Sequence, residues 1–246
     1  MLRRFRADLH IHTCLSPCGD IRMSPRNIAA QAGKQGIVLL AVCDHNSAEN
    51  VAAVMKAAGT SGVTVLPGME VCSREEIHVL AIFENLESVL GLQSTVYQHL
   101  AGENNPEVFG LQVIANECDE VTGYEDRLLI GAVDLPVEDI VKRVHELGGI
   151  VIASHIDRES FSVISQLGFI PETLKFDALE LSSNVGDAEA RSRFVAYGDN
   201  TFIRNSDAHE LQDLGKNTSE YMLDHPSFRE IQMALGNLAG RLVCAA

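Results

Sequence analysis

The chain has no Trp and only 5% aromatic residues, too few for the row of stacking rings on which single-stranded nucleic acid is usually carried. Its longest apolar run, Ile37–Cys43, is seven residues, whereas a membrane-spanning helix needs about 20, so no membrane segment is expected. Bases are scarce. Nineteen Lys and Arg stand against 34 Asp and Glu, a formal charge of −15, the wrong sign for counterion-release binding to long nucleic acid. A phosphorylated substrate is not excluded, because bound metal ions supply positive charge that composition does not register. The six Cys include no C-x-x-C pair, which points to reduced thiols in a cytoplasmic protein rather than a disulfide framework. No apolar stretch follows the basic start Met1–Arg6, so a secretory leader is not expected. There is also no G-x-S-x-G nucleophile elbow and no G-x-x-x-x-G-K-[ST] phosphate loop.

What is present is an ordinary globular balance over 246 residues, 46% apolar and 22% charged, enough for a full core. Short β-branched runs read as strands at 7–12, 37–43, 63–66, 77–83, 111–115, 149–154, 178–182 and 201–204. Helix patterns lie between them. Ser24-Pro25 opens one over Asn27–Gln35, closed by Gly36. Pro136 opens Val137–Leu147, and Pro226 opens Ser227–Leu238. Strands alternating with helices over this length predict a parallel α/β chain closed into a TIM-like barrel, one domain over residues 1–246. The least regular segment, about 84–135, reads as an insertion.

The nine His are not scattered evenly. His10 and His12 lie two apart at a strand end, so both imidazoles are expected on one face with Leu9 and Ile11 on the other. The spacing recurs at Asp207-Ala208-His209. His45 follows the strand ending at Cys43, Glu70 follows Val65–Met69, His78 begins a strand and His155 ends one. A lone His near a strand is usually a satisfied polar residue. Six at strand ends, with Glu70 and Asp207, are a metal platform, since strand ends of a barrel converge on one rim and a carboxylate can bridge two ions. His99, His145 and His225 lack this context and read as solvated or capping. Cys14 and Cys18 read as small apolar neighbours. Asp8 and Asp44 beside the ligands either orient imidazoles or cap strand ends.

Taken in order, Asp8–Thr13, Cys43–Asn46, Gly68–Val71, Ile77–Leu80, Ser154-His155 and Asn205–His209 resemble the polymerase and histidinol phosphatase (PHP) family. The resemblance implies a distorted (β/α)7 barrel, a TIM-like fold, with two or three divalent ions (Zn, Mn or Fe) at its C-terminal rim. It implies one ion on His10, His12, Glu70 and Asp207. A second falls to Glu70, His78 and His155, and a third to His45, His209 and one further acid or His from the loop after His12. That loop departs from the commonest pattern, reading Ser16-Pro17-Cys18-Gly19-Asp20, so Asp20 is the candidate. His155-Ile156-Asp157-Arg158 resembles the element in which an Arg contacts substrate phosphate. Glu70, His155, Arg158 and Asp207 are the catalytic candidates.

The function so implied is metal-dependent phosphoester hydrolysis of a nucleotide, a short oligonucleotide or another small phosphorylated metabolite, with no long nucleic acid as partner. Two alternatives stay open: a monoesterase like histidinol phosphatase, and a metal-bound regulatory module without turnover.

Overall fold

The computed structural model describes residues 1–59 and 61–244. In chain order it runs β1 (Arg3–Ile11), α1 (Pro25–Lys34), β2 (Leu39–Val42), α2 (Val51–Ala58), β3 (Thr64–Cys72), β4 (His78–Ile82) and α3 (Leu86–His99). It continues through α4 (Pro106–Phe109), β5 (Val113–Ala115), β6 (Val121–Tyr124), α5 (Val137–Glu146), β7 (Ile150–Ala153) and α6 (Val163–Leu167). The last part holds β8 (Ala178–Leu181), α7 (Asp187–Arg193), β9 (Phe202–Arg204), β10 (Ser219–Leu223), α8 (Phe228–Leu235) and β11 (Leu242–Val243).

Nine strands form one sheet in the order β11-β10-β1-β2-β3-β4-β7-β8-β9, curled into a nearly closed barrel. Beyond β9 the chain returns to β1 through the parallel bridge Ile11–Ala208 and the bond from the His12 N–H to the Ala208 carbonyl at 3.0 Å. The wall is therefore the seven strands β1, β2, β3, β4, β7, β8 and β9. The two extra strands come from β10, which pairs antiparallel with Arg3–Ala7 of β1, and β11 behind it. β10 escapes sequence reading because Ser219 and Glu220 are poor strand formers. Its alternating burial comes from the pairing.

β4 runs antiparallel to both β3 and β7. That explains the one His that sequence position left awkward. His78 starts its strand, but an antiparallel strand starts at the rim where its parallel neighbours end.

Two apolar clusters flank the wall. The inner one joins Leu9, Leu39, Ala41, Leu66, Leu80, Ile152 and Ile203, and α8 closes it with Phe228, Ile231 and Ala234. The outer one packs α1, α2, α3 and α5 on the sheet through Ile28, Val54, Leu92 and Ile140. In α5 the buried positions Val137, Ile140, Val141 and Val144 follow the helical spacing expected of them.

The segment 84–135 is more regular than the sequence indicates. It holds the fourteen-residue α3 and the hairpin β5–β6. Gly91 and the polar Gln93 interrupt the apolar pattern of α3, yet Gln93 is buried for a reason: its Oε1 accepts the Ala48 N–H at 2.6 Å. The Asn46 amide donates to the carbonyls of Leu129 and Gly131. The segment thus clamps the loop that follows His45. Among the described residues no helix is long and apolar enough to cross a membrane.

Candidate metal centre

Each ligand candidate is aimed by its strand. The pairing of β1 with β2 shifts register between Asp8 and Ile11, an irregularity of the kind that re-aims side chains at strand ends. Across it Leu9 packs in the inner cluster and Ile11 in the outer one, so the strict alternation expected of these two is not kept. His10 and His12 nevertheless converge, with their Nε2 atoms 3.2 Å apart. Glu70 reaches the centre because Gly68, two residues earlier, lets β3 approach β2 closely. A Cβ there would lie 2.7 Å from Cys43 Sγ and 2.9 Å from the Val42 carbonyl oxygen.

Glu70 is the hub. Its Oε1 lies 3.2 Å from His78 Nδ1 and 3.4 Å from both His10 Nε2 and His155 Nε2. Its Oε2 lies 3.1 Å from His45 Nδ1 and 3.5 Å from His12 Nε2. Asp207 Oδ1 stands 3.2 Å from Nε2 of both His10 and His12. The His209 ring stacks on His12 with centroids 4.1 Å apart. Ligand atoms cluster in three groups: His10, His12 and Glu70; His45, Glu70 and His78; and His12, His45 and His209. Ligands about 2.0–2.1 Å from a tetrahedral ion stand about 3.3 Å from one another, which is the spacing found around Glu70 and Asp207. Glu70 Oε1 is buried and accepts no hydrogen bond, an arrangement costly for a carboxylate unless a cation satisfies it. The donor set, imidazole and carboxylate, fits Zn, Mn or Fe.

The charges balance within the cluster. Burial opposes ionisation of Glu70 and Asp207, yet the surrounding imidazoles, His78 and His10 for Glu70 and His10 and His12 for Asp207, hold both well below the usual carboxylate range. Burial likewise works against a charged His10 and His78, but Glu180, Asp207 and Glu70 hold His10 well above its usual value, and Glu70 lifts His78 to about 10. Burial and the neighbouring His209 push His12 down to about 4, and burial drives His45 lower than its ordinary value despite Glu70.

Outer partners orient the rings. Glu180 on β8, which sequence reading missed, is fully buried, and both its oxygens lie 3.1–3.2 Å from His10 Nδ1. Asn205 donates to it at 3.0 Å. A Glu within the apolar run Ala178–Ser182 was the available signal, since a buried carboxylate needs a partner. Asp44 acts at one remove: Ser16 Oγ donates to it at 2.7 Å and lies 2.9 Å from His12 Nδ1. Asp8 touches no imidazole. Burial raises its carboxyl to about 6, and it accepts the Ser206 and Gly215 N–H groups, tying down the loop that carries Asp207. Cys14 is buried, and burial pushes its thiol up to about 12, in keeping with an apolar neighbour.

Strain gathers here too. Of eight non-glycine residues at positive φ among those described, Asn46, His155, Phe161 and Asp207 lie in or beside the centre, and such conformations persist where the surroundings enforce them.

Asp20 is not brought in. Its carboxylate takes Arg22 in a paired contact at 2.8 and 2.9 Å, and Arg22 holds it down at about 2. Only its backbone N–H reaches the site, donating to the His209 carbonyl at 2.8 Å. The displaced Asp thus serves the loop, and His12 joins His45 and His209 where Asp20 was expected. Asp20→Ala is therefore expected to leave bound metal unchanged by elemental analysis; loss of one equivalent would return Asp20 to the ligand set. Arg158, by contrast, is at the centre, with Nη2 2.6 Å from Asp207 Oδ2. His145 pairs with Asp177 on the surface at 3.0 Å, and His99 bonds the Thr95 carbonyl within α3, both away from the cluster as expected.

The PHP domain model matches residues 8–134, just over half the chain and including His10, His12, His45, Glu70 and His78. An uncharacterized protein of Methanocaldococcus jannaschii is 35% identical over 100 residues, which is 37% of this chain and 58% of that one. Among solved structures, the lesion-specific endonuclease Q of Pyrococcus furiosus superposes with a TM-score of 0.78 at 21% identity, over 98% of this chain and 58% of that chain. An endonuclease Q complex with a 27-mer duplex carrying an abasic lesion at its active site gives 0.75 at 20%, with the same coverage. A Bifidobacterium adolescentis protein described as a metal-dependent phosphoesterase gives 0.59 at 18%, over 85% of this chain and 88% of that one. The chain spans about 58% of the length of the archaeal relatives. At these identities the structures establish the shared barrel. The family match, together with the cluster of ligands it spans, places the chain in the PHP domain family of metal-dependent phosphoesterases.

Proposed function

We propose that the chain hydrolyses a phosphate ester of a nucleotide or short oligonucleotide at a centre of two or three divalent ions held by His10, His12, His45, Glu70, His78, His155, Asp207 and His209. The observation that carries this reading is Glu70. One buried carboxylate faces five imidazoles at 3.1–3.5 Å, an arrangement suited to bridging two ions. When bound, the ions supply Lewis acidity toward a phosphoryl oxygen and acidify a water. The chain's own residues do the rest. Glu180 and the Ser16–Asp44 relay keep His10 and His12 oriented. Asp157 fixes the loop after β7 by accepting the Ser182 N–H and hydroxyl at 2.7 and 2.6 Å. That loop presents Arg158, about a third exposed, beside Asp207, where its guanidinium meets a phosphoryl group and stabilises charge developing on its oxygens.

Arg158→Ala is expected to raise KM and lower kcat/KM by roughly ten- to a hundredfold, about 1.5–3 kcal/mol. An unchanged KM for the phosphorylated substrate would remove Arg158 from the site.

The likeness to endonuclease Q favours a second reading, cleavage of a phosphodiester in duplex DNA. That protein is seen in complex with a 27-mer duplex whose abasic lesion lies at its active site, which weakens the exclusion of long nucleic acid drawn from net charge. In this chain the basic run Arg3, Arg4 and Arg6 starts β1, at the end of the barrel opposite the rim, so it offers duplex no grip at the centre. One assay separates the readings: the chelated protein is resupplied with Mn²⁺ or Zn²⁺ and given mononucleotides, short oligonucleotides and a long duplex at physiological salt. Cleavage of the small substrates alone supports the first reading. Efficient nicking of duplex establishes the second, and no turnover with any leaves a regulatory module.

A further inference from the structure

Phe161 is an aromatic side chain left 39% exposed beside the candidate metal centre. It lies in the loop that carries Arg158, between His155 and α6. Its ring stacks on the imidazole of His78, centroids 4.6 Å apart and planes 23° from parallel. One face is thus spent on a ligand candidate and the exposed surface of the ring lies at the rim. The backbone enforces this placement. Phe161 sits at φ 57°, a left-handed conformation that a bulky residue adopts only under constraint. Its carbonyl accepts the His78 N–H at 2.9 Å. On either side Ser162 donates to the Arg158 carbonyl and caps α6, and Arg158 N–H bonds the His155 carbonyl. A bulky residue with an exposed ring, held at a strained φ beside a phosphate-binding Arg, is poor economy for packing alone.

We infer that Phe161 forms an aromatic subsite that stacks the planar ring of the substrate, a nucleobase or a similar heterocycle, while Arg158 takes its phosphate. The inference rests on the phosphoester reading above and supplies its substrate class. A single ring suits one base, consistent with a chain too poor in aromatics to carry a strand. Glycine adopts φ 57° without strain, so Phe161→Gly removes the ring while keeping the loop's path.

The test compares two probes that share a phosphate and differ in the ring, adenosine 5′-monophosphate and ribose 5-phosphate, using the metal-loaded full chain. Both kcat/KM for phosphate release and equilibrium dissociation constants are measured. Stacking of one base predicts that the wild type favours the ring-bearing probe about tenfold or more. Phe161→Gly and Phe161→Leu should collapse that ratio towards one, and Phe161→Tyr should keep it, all with wild-type metal content. A ratio near one in the wild type, or a ratio that survives Phe161→Leu and Phe161→Gly, overturns the subsite. If neither probe is hydrolysed, the monoester form of the phosphoesterase reading fails, and the ratio of dissociation constants still decides the subsite by the same criteria.

Discussion

Glu70→Gln is expected to lower kcat/KM for phosphoester hydrolysis by at least about a thousandfold, roughly 4 kcal/mol, and to strip the protein of metal. The amide has the shape of the carboxylate, so packing around it changes little. What it loses is the charge that faces His10, His12, His45, His78 and His155 at once. No other side chain can replace that charge, since Asp207 reaches only His10 and His12 within 3.2 Å. Asp207→Asn should follow the same course with a smaller loss of metal. His225→Ala is the control, because His225 is exposed beside Asp224 and far from the cluster in the fold. The check is elemental analysis with a phosphate-release assay and a thermal melt. Near wild-type activity and metal content in Glu70→Gln would show that the centre lies elsewhere.

Asp44→Ala should produce the largest loss of stability of any single change at the rim. Asp44 is fully buried and accepts three hydrogen bonds: from the Thr13 N–H at 2.7 Å, the Thr13 hydroxyl at 2.8 Å and the Ser16 hydroxyl at 2.7 Å. Its removal leaves buried donors without partners, a cost of about 3 kcal/mol, and lowers Tm by roughly 6–12 °C for a chain of this size. Ser16 also loses its hold on His12, so metal affinity should fall together with Tm. A melt within about 2 °C of wild type would mean that the turn after β1 is held by its backbone alone. The Gly19 N–H to Ser16 carbonyl bond at 2.8 Å is the contact that would then have to carry it.

Much of the centre was legible before the fold was known. Strand ends gather at one rim, so eight of the nine proposed ligands are found together, His10 and His12 among them despite the register shift in β1 that breaks the alternation of Leu9 and Ile11. Period and position along the chain carry that information locally. Asp20 failed for the opposite reason. Its distance in sequence from His12 suited a ligand, but a carboxylate two residues from an Arg finds that Arg first.

Local residue chemistry, then, determined which imidazoles and carboxylates lie at strand ends, which runs form the barrel wall though not β10 or β11, and that the chain would close as an α/β barrel. Only the tertiary structure decided how the ligands divide among the three groups, because that depends on the register of β1 against β2 and on β4 running antiparallel. It alone brought Glu180, 170 residues from His10 in sequence, against the imidazole it orients. It also turned Phe161 outward over His78, since pairing between distant segments sets a side chain's neighbours and no local pattern encodes them.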